Sequence, residues 1–331
     1  MYIYEHNFSG SGERLPTGGG IAAPFFSTPI DEAYDQLNIV REGGLPLEFH
    51  RQPEIRRLSF SEIQDLRFKR KLRAIAKLGD LRDERAVLTL VAVVEDKLFV
   101  APKDFEPHQK LLLRQESAAA LGKIGGSVAL AKLNDLLNSK DPKERMMASR
   151  GFSGAAGGQA ATSLLTALKK ETDLGVKAQI IFALGKIGGG LSNQVKASIV
   201  NELIHQMENN KDAVHLAAIN ALGELRLKSA TEPLLKQLNK WHSVEHLAAA
   251  IVIALGNIGD ERAVNLVVVM LEVHTKKRVR SEAALALGKI GGLKARAALK
   301  RRLNLEKEES VKSDILKAMT PVIHWTFRSV R

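Results

Sequence analysis

The residues of this chain that are best spaced for chemistry are two histidines. His242 and His246 stand four apart in WHSVEH, with Glu245 between them. This spacing lets two imidazoles bind one metal ion from the same face of a helix. No third ligand follows nearby in the sequence, and Ser243 has the position of a helix cap. We therefore predict a structural role for both histidines and no metal site.

Other patterns that support catalysis are missing from the sequence. The chain has no cysteine, which excludes disulfides, thiolate metal ligands and a cysteine nucleophile. It contains no Gly-x-Ser-x-Gly or P-loop motif, and the glycine-rich GKIGGG at 185–190 is one copy of a recurring turn. His205, His215 and His274 lie on or beside predicted helices, where satisfied structural positions are expected. The sequence predicts no catalytic residue, no metal and no cofactor, and hence a protein that is not an enzyme.

One segment recurs along the chain and predicts the elements that build the molecule. SAAALGKIGG at 117–126 reappears as IFALGKIGGG at 181–190 and as SEAALALGKIGG at 281–292. Self-similarity of this kind is typical of repeat architectures. We count eight units 31 to 43 residues apart, of which the third (about 141–170) and the eighth are degenerate. The residues that anchor them are Gly79, Gly122, Gly154, Gly185, Gly223, Gly256, Gly288 and Thr320.

Each unit is predicted to be a pair of short helices. The first carries small or apolar residues at helical spacing, such as Ala283, Ala284 and Leu287, and its glycine suits the left-handed conformation that closes a helix. The second has its own apolar stripe, as in Val264 and Val267. One such hairpin cannot bury its apolar face alone. Stacked hairpins bury a continuous core, so the predicted fold is all-α, an α-solenoid of about eight helical hairpins over residues 61–331.

The repeated pattern resembles a known superfamily. A cap residue, a basic residue, Ala-Ala, Ala-Leu-Gly and Ile-Gly-Asp or Ile-Gly-Gly follow one another as in HEAT repeats, and in particular the HEAT-like repeats of phycobilin (PBS) lyase subunits. The resemblance covers about residues 62–325. It implies the fold and says little about function, because the signature residues are those that pack helices together.

A cation recurs eight residues before most anchors and needs its own interpretation. We predict that it pairs locally with the acid that precedes it at the helix cap, such as Asp173 or Asp212, since side chains one turn apart on a helix meet. The residues in this position are Lys71, Arg114, Lys177, His215, Arg280 and Lys312, while Met146 and Ala248 stand there in units three and six.

Residues 1–60 differ from the repeats. They contain five of the ten prolines, two glycine clusters and no sustained period, with one or two helical turns plausible at 29–39. We predict an extended, mostly irregular arm that lies along its own solenoid or reaches a partner. A second irregular segment, the insertion at 97–110, precedes unit two. The aromatic residues predicted to bind a partner are Tyr2, Tyr4, Phe8, Phe25, Phe26, Phe99 and Phe105.

Charge is concentrated at the C-terminal end. The whole chain has a net charge of +12, whereas residues 276–331 alone hold fifteen Lys and Arg against five acids. A basic surface suits an acidic protein, a nucleic acid or an anionic membrane, and it also keeps a terminal repeat soluble. The residues predicted to form this partner-binding patch are Lys276, Lys277, Arg278, Arg280, Lys294, Arg296, Lys300, Arg301 and Arg302.

The sequence favours a non-enzymatic scaffold that holds one or more proteins, with an acidic surface expected on the partner. One alternative, implied by the resemblance, is a phycobilin lyase-like cradle for a chromophore or an acceptor protein, acting with a partner subunit. Another is a nucleic-acid-binding HEAT protein, which would need aromatic side chains interleaved with its basic residues. No apolar run is long enough to span a bilayer and the N-terminus lacks the pattern of a secretory signal, so a cytoplasmic location is expected.

Overall fold

The computed structural model describes residues 36–41, 59–97, 105–187, 191–210 and 212–320. These ranges contain sixteen α-helices, a few short 3₁₀ turns and no β-strand. Helix α1 covers residues 36–41. The other helices are α2 (Phe60–Leu81), α3 (Val87–Val94), α4 (Pro107–Ile124), α5 (Gly126–Leu137), α6 (Pro142–Ser153), α7 (Gly158–Lys170), α8 (Leu174–Lys186), α9 (Asn193–Asn209), α10 (Asp212–Leu225), α11 (Thr231–Trp241), α12 (Glu245–Ile258), α13 (Val264–Val273), α14 (Lys277–Ile290), α15 (Gly292–Leu305) and α16 (Glu309–Met319).

From α2 onward the helices form hairpins that stack in chain order. The even-numbered helices are the first helices of the units, and the odd-numbered helices from α3 to α15 are the second. Each first helix packs extensively against the first helix of the next unit, and each second helix packs mainly against the first helix of the next unit, whereas neighbouring second helices touch less. In a curved stack of helices, the layer whose neighbouring helices lie closer together is on the inner, concave side. The molecule is therefore an all-α solenoid whose first helices line the concave face.

The anchor glycines are contact points between consecutive first helices. A Cβ at Gly185 would lie 2.9 Å from Cα of Ala221, and one at Gly256 would lie 2.7 Å from Cα of Ala286. Both glycines stay inside their helices, so the prediction that the anchors adopt a left-handed closing conformation is wrong. That conformation belongs to the next glycine along, as at Gly259 (φ 71°). Small residues at these crossings let the helix backbones come close enough to bury a continuous core.

Unit three makes the same kind of contact, but its anchor residue lies one position before the predicted one. Its neighbour Gly122 faces Gly151, and a Cβ at Gly122 would lie 1.8 Å from the carbonyl oxygen of Gly151. In the regular units the contacting residue stands two positions before the anchor. Ser153 is therefore the anchor of unit three, and the assignment of Gly154 was wrong. Among the described glycines, Gly122 is the one where an added Cβ would come nearest to another atom.

Buried ion pairs join the two helices of single hairpins. Arg145 on α6 donates from Nε to Oε2 of Glu171 at 2.7 Å, and Arg280 on α14 makes the same bond to Glu306 at 2.9 Å. In both pairs the arginine also binds backbone carbonyls five and six residues before it. Each acid stands directly after the second helix and lies 26 residues beyond its arginine. Arg145 and Arg280 thus reach across the hairpin, so the predicted local pair with a preceding cap acid is wrong for Arg280. Lys312 does make a local pair, since its Nζ lies 2.7 Å from Oε1 of Glu309 in the first turn of α16.

Helix α1 shows where part of the N-terminal arm lies. Leu37 and Val40 are buried in the core that the repeats share, and Nε of Arg41 donates to Oγ1 of Thr89 on α3 at 3.1 Å. This helix overlaps with the helical turns predicted at 29–39 over residues 36–39, and residues 29–35 lie outside the described residues. The segment 36–41 packs on its own solenoid. The insertion at 97–110 is shorter than predicted at its C-terminal end, because residues 107–110 form the first turn of α4.

Candidate interaction surfaces

The concave face carries a shallow apolar groove at units four to six. Phe182 on α8 is 50% exposed, and Leu216 on α10 and Ile253 on α12 lie beside it as partly exposed side chains. The groove has a volume of about 440 Å³. On its edge Nζ of Lys186 pairs with Glu224 at 3.2 Å and stands 5.8 Å from the centre of the Phe182 ring.

Sequence reasoning missed this groove although the sequence contains a signal for it. The helix period turns the position three residues before an anchor glycine toward the concave side. In units four to six this position holds Phe182, Asn220 and Ile253. The equivalent residue in unit two is Ala119, so a phenylalanine there departs from the repeat. A large apolar side chain at a solvent-facing repeat position is the pattern to look for.

The predicted basic patch is divided between two edges of the array. Lys276, Lys277 and Arg278 lie where α14 begins, and the end of α15 lies beside them because Nη1 of Arg302 donates to the carbonyl of Glu272 at 2.9 Å. We call this side, with Lys300 on the last turns of α15, the start edge. Arg296 lies nearer the other end of α15, and it lines a cavity at the opposite edge.

Four cations of the start edge project into solvent without an acid at ion-pairing distance among the described residues. They are Lys276, Arg278, Lys300 and Lys307, the last of which sequence reasoning left out. Lys277 is also exposed and stands 3.8 Å from Glu308, a loose contact. Exposed pairs of this kind contribute little energy, so Lys277 remains available to an incoming anion.

Two other members of the predicted patch, Arg280 and Arg302, are engaged with the protein itself. Arg280 is 8% exposed and holds Glu306, so it is not part of an exposed surface. Arg302 donates from Nη2 to Oε2 of the same acid at 2.8 Å. Burial raises the pKa of Glu306, and the hydrogen bonds from both arginines and from two backbone N–H groups outweigh this effect and lower the pKa to about 2. The acid is therefore ionised at neutral pH, and its one negative charge is shared by the two arginines.

Lys294 and Arg301 are exposed but each also contacts another side chain of the protein. Arg301 donates from Nη2 to Oε1 of Glu272 at 2.8 Å, and Lys294 binds Oδ1 of Asn265, both across to α13. All of these side chains are exposed. These contacts link neighbouring second helices and leave Lys294 without an acidic partner among the described residues.

Phe105 is the one aromatic of the arm and insertion set that falls in the described residues. It is 7% exposed and packs against Phe68 at 6.2 Å between ring centres, while Nζ of Lys71 stands 5.5 Å from its ring. The side chain belongs to the core, and its prediction as a partner contact was wrong. The other residues of that set, Tyr2, Tyr4, Phe8, Phe25, Phe26 and Phe99, lie outside the described residues.

The two histidines with metal-like spacing are not on one helix. His242 follows the end of α11, whereas His246 lies in the first turn of α12. Nδ1 of His242 is 2.9 Å from the carbonyl oxygen of Asn239, and the His242 carbonyl is 2.8 Å from Nε2 of His274. Within the described ranges, no three His, Asp or Glu side chains come together as a metal site would require. None of the helices in those ranges has the length and hydrophobicity needed to cross a bilayer.

Comparison with known proteins finds a family match for the last part of the solenoid. Residues 231–320, which run from α11 to the end of α16, match the family model for HEAT repeats. The same kind of glycine contact between first helices recurs from Gly79 onward. None of the curated proteins compared with the chain matches it.

Several solved structures overlap with most of the chain. The complex of CpcE and CpcF of phycocyanin lyase from Nostoc sp. PCC7120 is 20% identical over 93% of this chain and 98% of the other, with a TM-score of 0.40. Human deoxyhypusine hydroxylase in complex with glycerol is 18% identical over 88% and 96%, with a TM-score of 0.33. An engineered protein is 16% identical over 89% and 96%, with a TM-score of 0.41. Overlap at this level has no bearing on what the chain does.

Proposed function

We propose that this chain of HEAT repeats is a non-enzymatic scaffold that holds a protein with an acidic surface against the start edge of its last repeats. The observation that carries the proposal is the group of exposed cations at that edge, Lys276, Arg278, Lys300 and Lys307, whose charges no acid of the described residues neutralises. Arg280 and Arg302 lie beside them and are bound to Glu306, so they stabilise the start edge and are not available to a partner.

Electrostatics explains why such an edge suits a protein partner. The start edge is carried by hairpins that are fixed by a buried ion pair, so its cations are presented on a rigid support. Charged groups of this kind steer an oppositely charged surface into register and raise the rate of association. A nucleic acid would be the stronger proposal if aromatic side chains lay among the cations, and none of the described residues of the start edge is aromatic.

The proposal is tested by reversing charge at the start edge. The variant Lys276→Glu, Arg278→Glu, Lys300→Glu changes the local charge by six units (three reversals of two) without touching a buried residue. The control Lys140→Glu, Lys169→Glu, Lys170→Glu makes the same change on exposed lysines of units two and three. Proteins captured by each form are identified by mass spectrometry, and the recovered partner is then titrated in purified form by calorimetry at about 0.15 M and 0.5 M salt.

The expected result is one protein that binds the parent and the control, is lost from the start-edge variant, and binds less tightly at high salt. Equal binding to all three forms would contradict the proposal. Tight, salt-resistant binding of nucleic acid by the parent would favour the nucleic-acid alternative, because contacts to phosphates alone weaken steeply with salt. A bilin that co-purifies with the parent and colours it would favour the lyase-like alternative.

A further inference from the structure

A second charged feature lies at the opposite edge of the array from the start edge. It is a cavity of about 580 Å³ between the ends of α12, α14 and α16. Three cationic side chains, Arg226, Lys289 and Arg296, line it, and no Asp or Glu among the described residues does. We call it the three-cation cavity. Its volume is in the range of sites that hold small molecules.

The protein neutralises the equivalent cations elsewhere but not here. The lysine directly after an anchor glycine pairs with an acid on a neighbouring first helix. Nζ of Lys123 lies 2.7 Å from Oδ1 of Asp80, and Nζ of Lys186 lies 3.2 Å from Oε2 of Glu224. Lys289 makes the same reach, and its Nζ donates to Oδ1 of Asn257 at 2.8 Å. Asparagine carries no charge, so this hydrogen bond holds Lys289 in place but leaves its positive charge uncompensated.

The two arginines of the cavity also lack an acidic partner. Arg226 and Arg296 are exposed and form no ion pair with the described residues. Two acids that stand close in sequence to residues of the cavity wall are engaged elsewhere: Glu224 holds Lys186, and Asp260, which follows Gly259, accepts a hydrogen bond from Nε of Arg262 at 2.9 Å. Guanidinium groups present their donors in a planar fork that matches two oxygens of an oxyanion. The cavity therefore offers two such forks and an ammonium group.

The glycines of the cavity wall leave room for a ligand. Gly291, which ends α14 and begins α15, lines the cavity and has no side chain to fill it. A Cβ at Gly291 or Gly259 would meet nothing within 4 Å, so the space above this backbone is free. The opposing negative helix ends are partly satisfied, since the N–H groups of Gly259 and Gly291 bind the carbonyls of Leu255 and Leu287.

We propose that the three-cation cavity binds the phosphate group of a small phosphorylated molecule. A phosphate can accept hydrogen bonds from two guanidinium groups and an ammonium group at once. Its negative charge complements the three cations, and no acid among the described residues lines the cavity to compete with it. The remaining volume accommodates the body of the molecule against Leu299 and Met319. This function is independent of the start edge and of whatever protein binds there.

The test uses three probes on the full chain. Inorganic phosphate, adenosine monophosphate and adenosine are each titrated by calorimetry at about 0.15 M salt. Phosphate and adenosine monophosphate are expected to bind with one site, and adenosine is not. Tighter binding of the nucleotide than of phosphate identifies a phosphorylated molecule as the occupant, and equal binding identifies the free anion; both support a phosphate site. Absence of binding by both phosphate-containing probes overturns the proposal.

Variants locate the site. Arg226→Gln and Lys289→Gln, separately, should each weaken binding about tenfold, the loss expected for one charge-assisted contact, and the double variant should abolish it. Both residues are exposed, so helix content should be kept, which circular dichroism checks. The matched control, Lys276→Gln with Arg278→Gln at the start edge, should bind the probes as the parent does. Equal weakening by this control would show diffuse attraction to a basic chain and would overturn the proposed site.

Discussion

At the residue scale, glycine at the anchor positions of this chain serves close contact rather than backbone flexibility. The clearest case is Gly122, where an added Cβ would lie 1.8 Å from the carbonyl oxygen of Gly151. Neither partner can move away cheaply, because both are backbone atoms of packed helices. Relief requires the two first helices to separate and lose contact along their length.

We therefore expect Gly122→Ala to destabilise the fold by about 3 kcal/mol, the upper end of the usual range for overpacking. Urea unfolding followed by circular dichroism measures the loss. The control is Gly158→Ala, since a Cβ there would approach only a side-chain methyl of Val195 at 3.9 Å. It should leave stability unchanged or raise it by up to about 1 kcal/mol through reduced freedom of the unfolded chain. Equal effects of the two substitutions would refute the contact role of Gly122.

Repetition in the sequence was enough to locate most of these contacts but not to align unit three. Regular units have one glycine in a frame of alanines, so the frame is unambiguous. GFSGAAGG at 151–158 offers four glycines, and local sequence does not indicate which one faces the preceding helix. The contact that decides it, Gly151 against Gly122, lies between residues of different units.

A buried histidine gives the second prediction at this scale. Nε2 of His215 is buried without a hydrogen-bond partner among the described residues, and its ring meets Trp241 edge-on at 5.8 Å between ring centres. Burial lowers the pKa of His215, a hydrogen bond to the backbone of Asn210 acts in the opposite direction, and the charge of Lys240 lowers the pKa further. The folded protein therefore binds this proton less readily than the unfolded chain does.

The sign of the pH effect follows from that difference. Above the unfolded-state pKa of about 6.5, His215 is neutral in both states and has no effect. As the pH falls below about 6.5, the unfolded chain takes up the proton first, so the free energy of unfolding decreases until the folded-state pKa is reached. Melting temperatures between pH 7.5 and 5.5 should fall for the parent and fall less for His215→Gln. Parallel curves would contradict this account.

At the element scale, the two helices of a hairpin are joined by a charge pair that the sequence encodes at long range. Glu306 follows α15 and accepts from Arg280 and Arg302, and it also accepts backbone N–H groups of Lys307 and Glu308 with Oε1. Removing its charge leaves Arg280 buried without an acid. Such losses cost about 3–5 kcal/mol, whereas exposed pairs contribute about 1 kcal/mol or less.

We accordingly expect Glu306→Gln to destabilise the fold by about 3 kcal/mol and Glu272→Gln, which removes the exposed partner of Arg301, by less than about 1 kcal/mol. Thermal and urea unfolding of the two variants give the comparison. A small effect at Glu306 would mean that Arg280 finds water or another acceptor when its acid is neutralised. The role of the pair as a fixed support for the start edge would then fail.

The element scale also shows how far sequence reasoning could go. Helix order, the two-helix unit and the position of the apolar stripes follow from periodicity, and the structure has them. Arg280 was assigned to an exposed patch because charge counting does not reveal a partner 26 residues away. The repeated interval of Arg145 to Glu171 and Arg280 to Glu306 is a signal that would have exposed the pair. Phe105 was misassigned for a related reason, since an aromatic in an irregular segment can serve the core.

At the scale of the whole molecule, each hairpin contacts its neighbours along the chain, so stability is shared between adjacent units rather than through one central core. The last unit has only α16 among the described residues, and the segment at 36–41 covers part of the first. The basic start edge and the three-cation cavity both lie near the C-terminal end. Their positions would therefore depend on the integrity of the later units and not on the earlier ones.

This arrangement predicts that breaking a central contact divides the molecule into two cooperative blocks. A Cβ at Gly185 would lie 2.9 Å from both Cα and Cβ of Ala221, so Gly185→Val separates units one to four from units five to eight. Trp241 ends α11 in the second block, so its fluorescence reports on that block, while circular dichroism reports on all helices. In the parent the two unfolding curves should coincide, and in Gly185→Val they should separate.

The matched substitution at the end of the array is Gly288→Val. Here a Cβ would lie 2.8 Å from Cα of Ala318 on α16, and only this terminal helix depends on the contact. Because nearest-neighbour coupling leaves the remaining units joined, its circular dichroism and fluorescence curves should still coincide, with the loss of protection in hydrogen exchange confined to α16 and its immediate neighbours. Coincident curves for Gly185→Val as well would show that coupling extends beyond neighbouring units, and the two proposed binding regions would then respond to disruption anywhere in the chain.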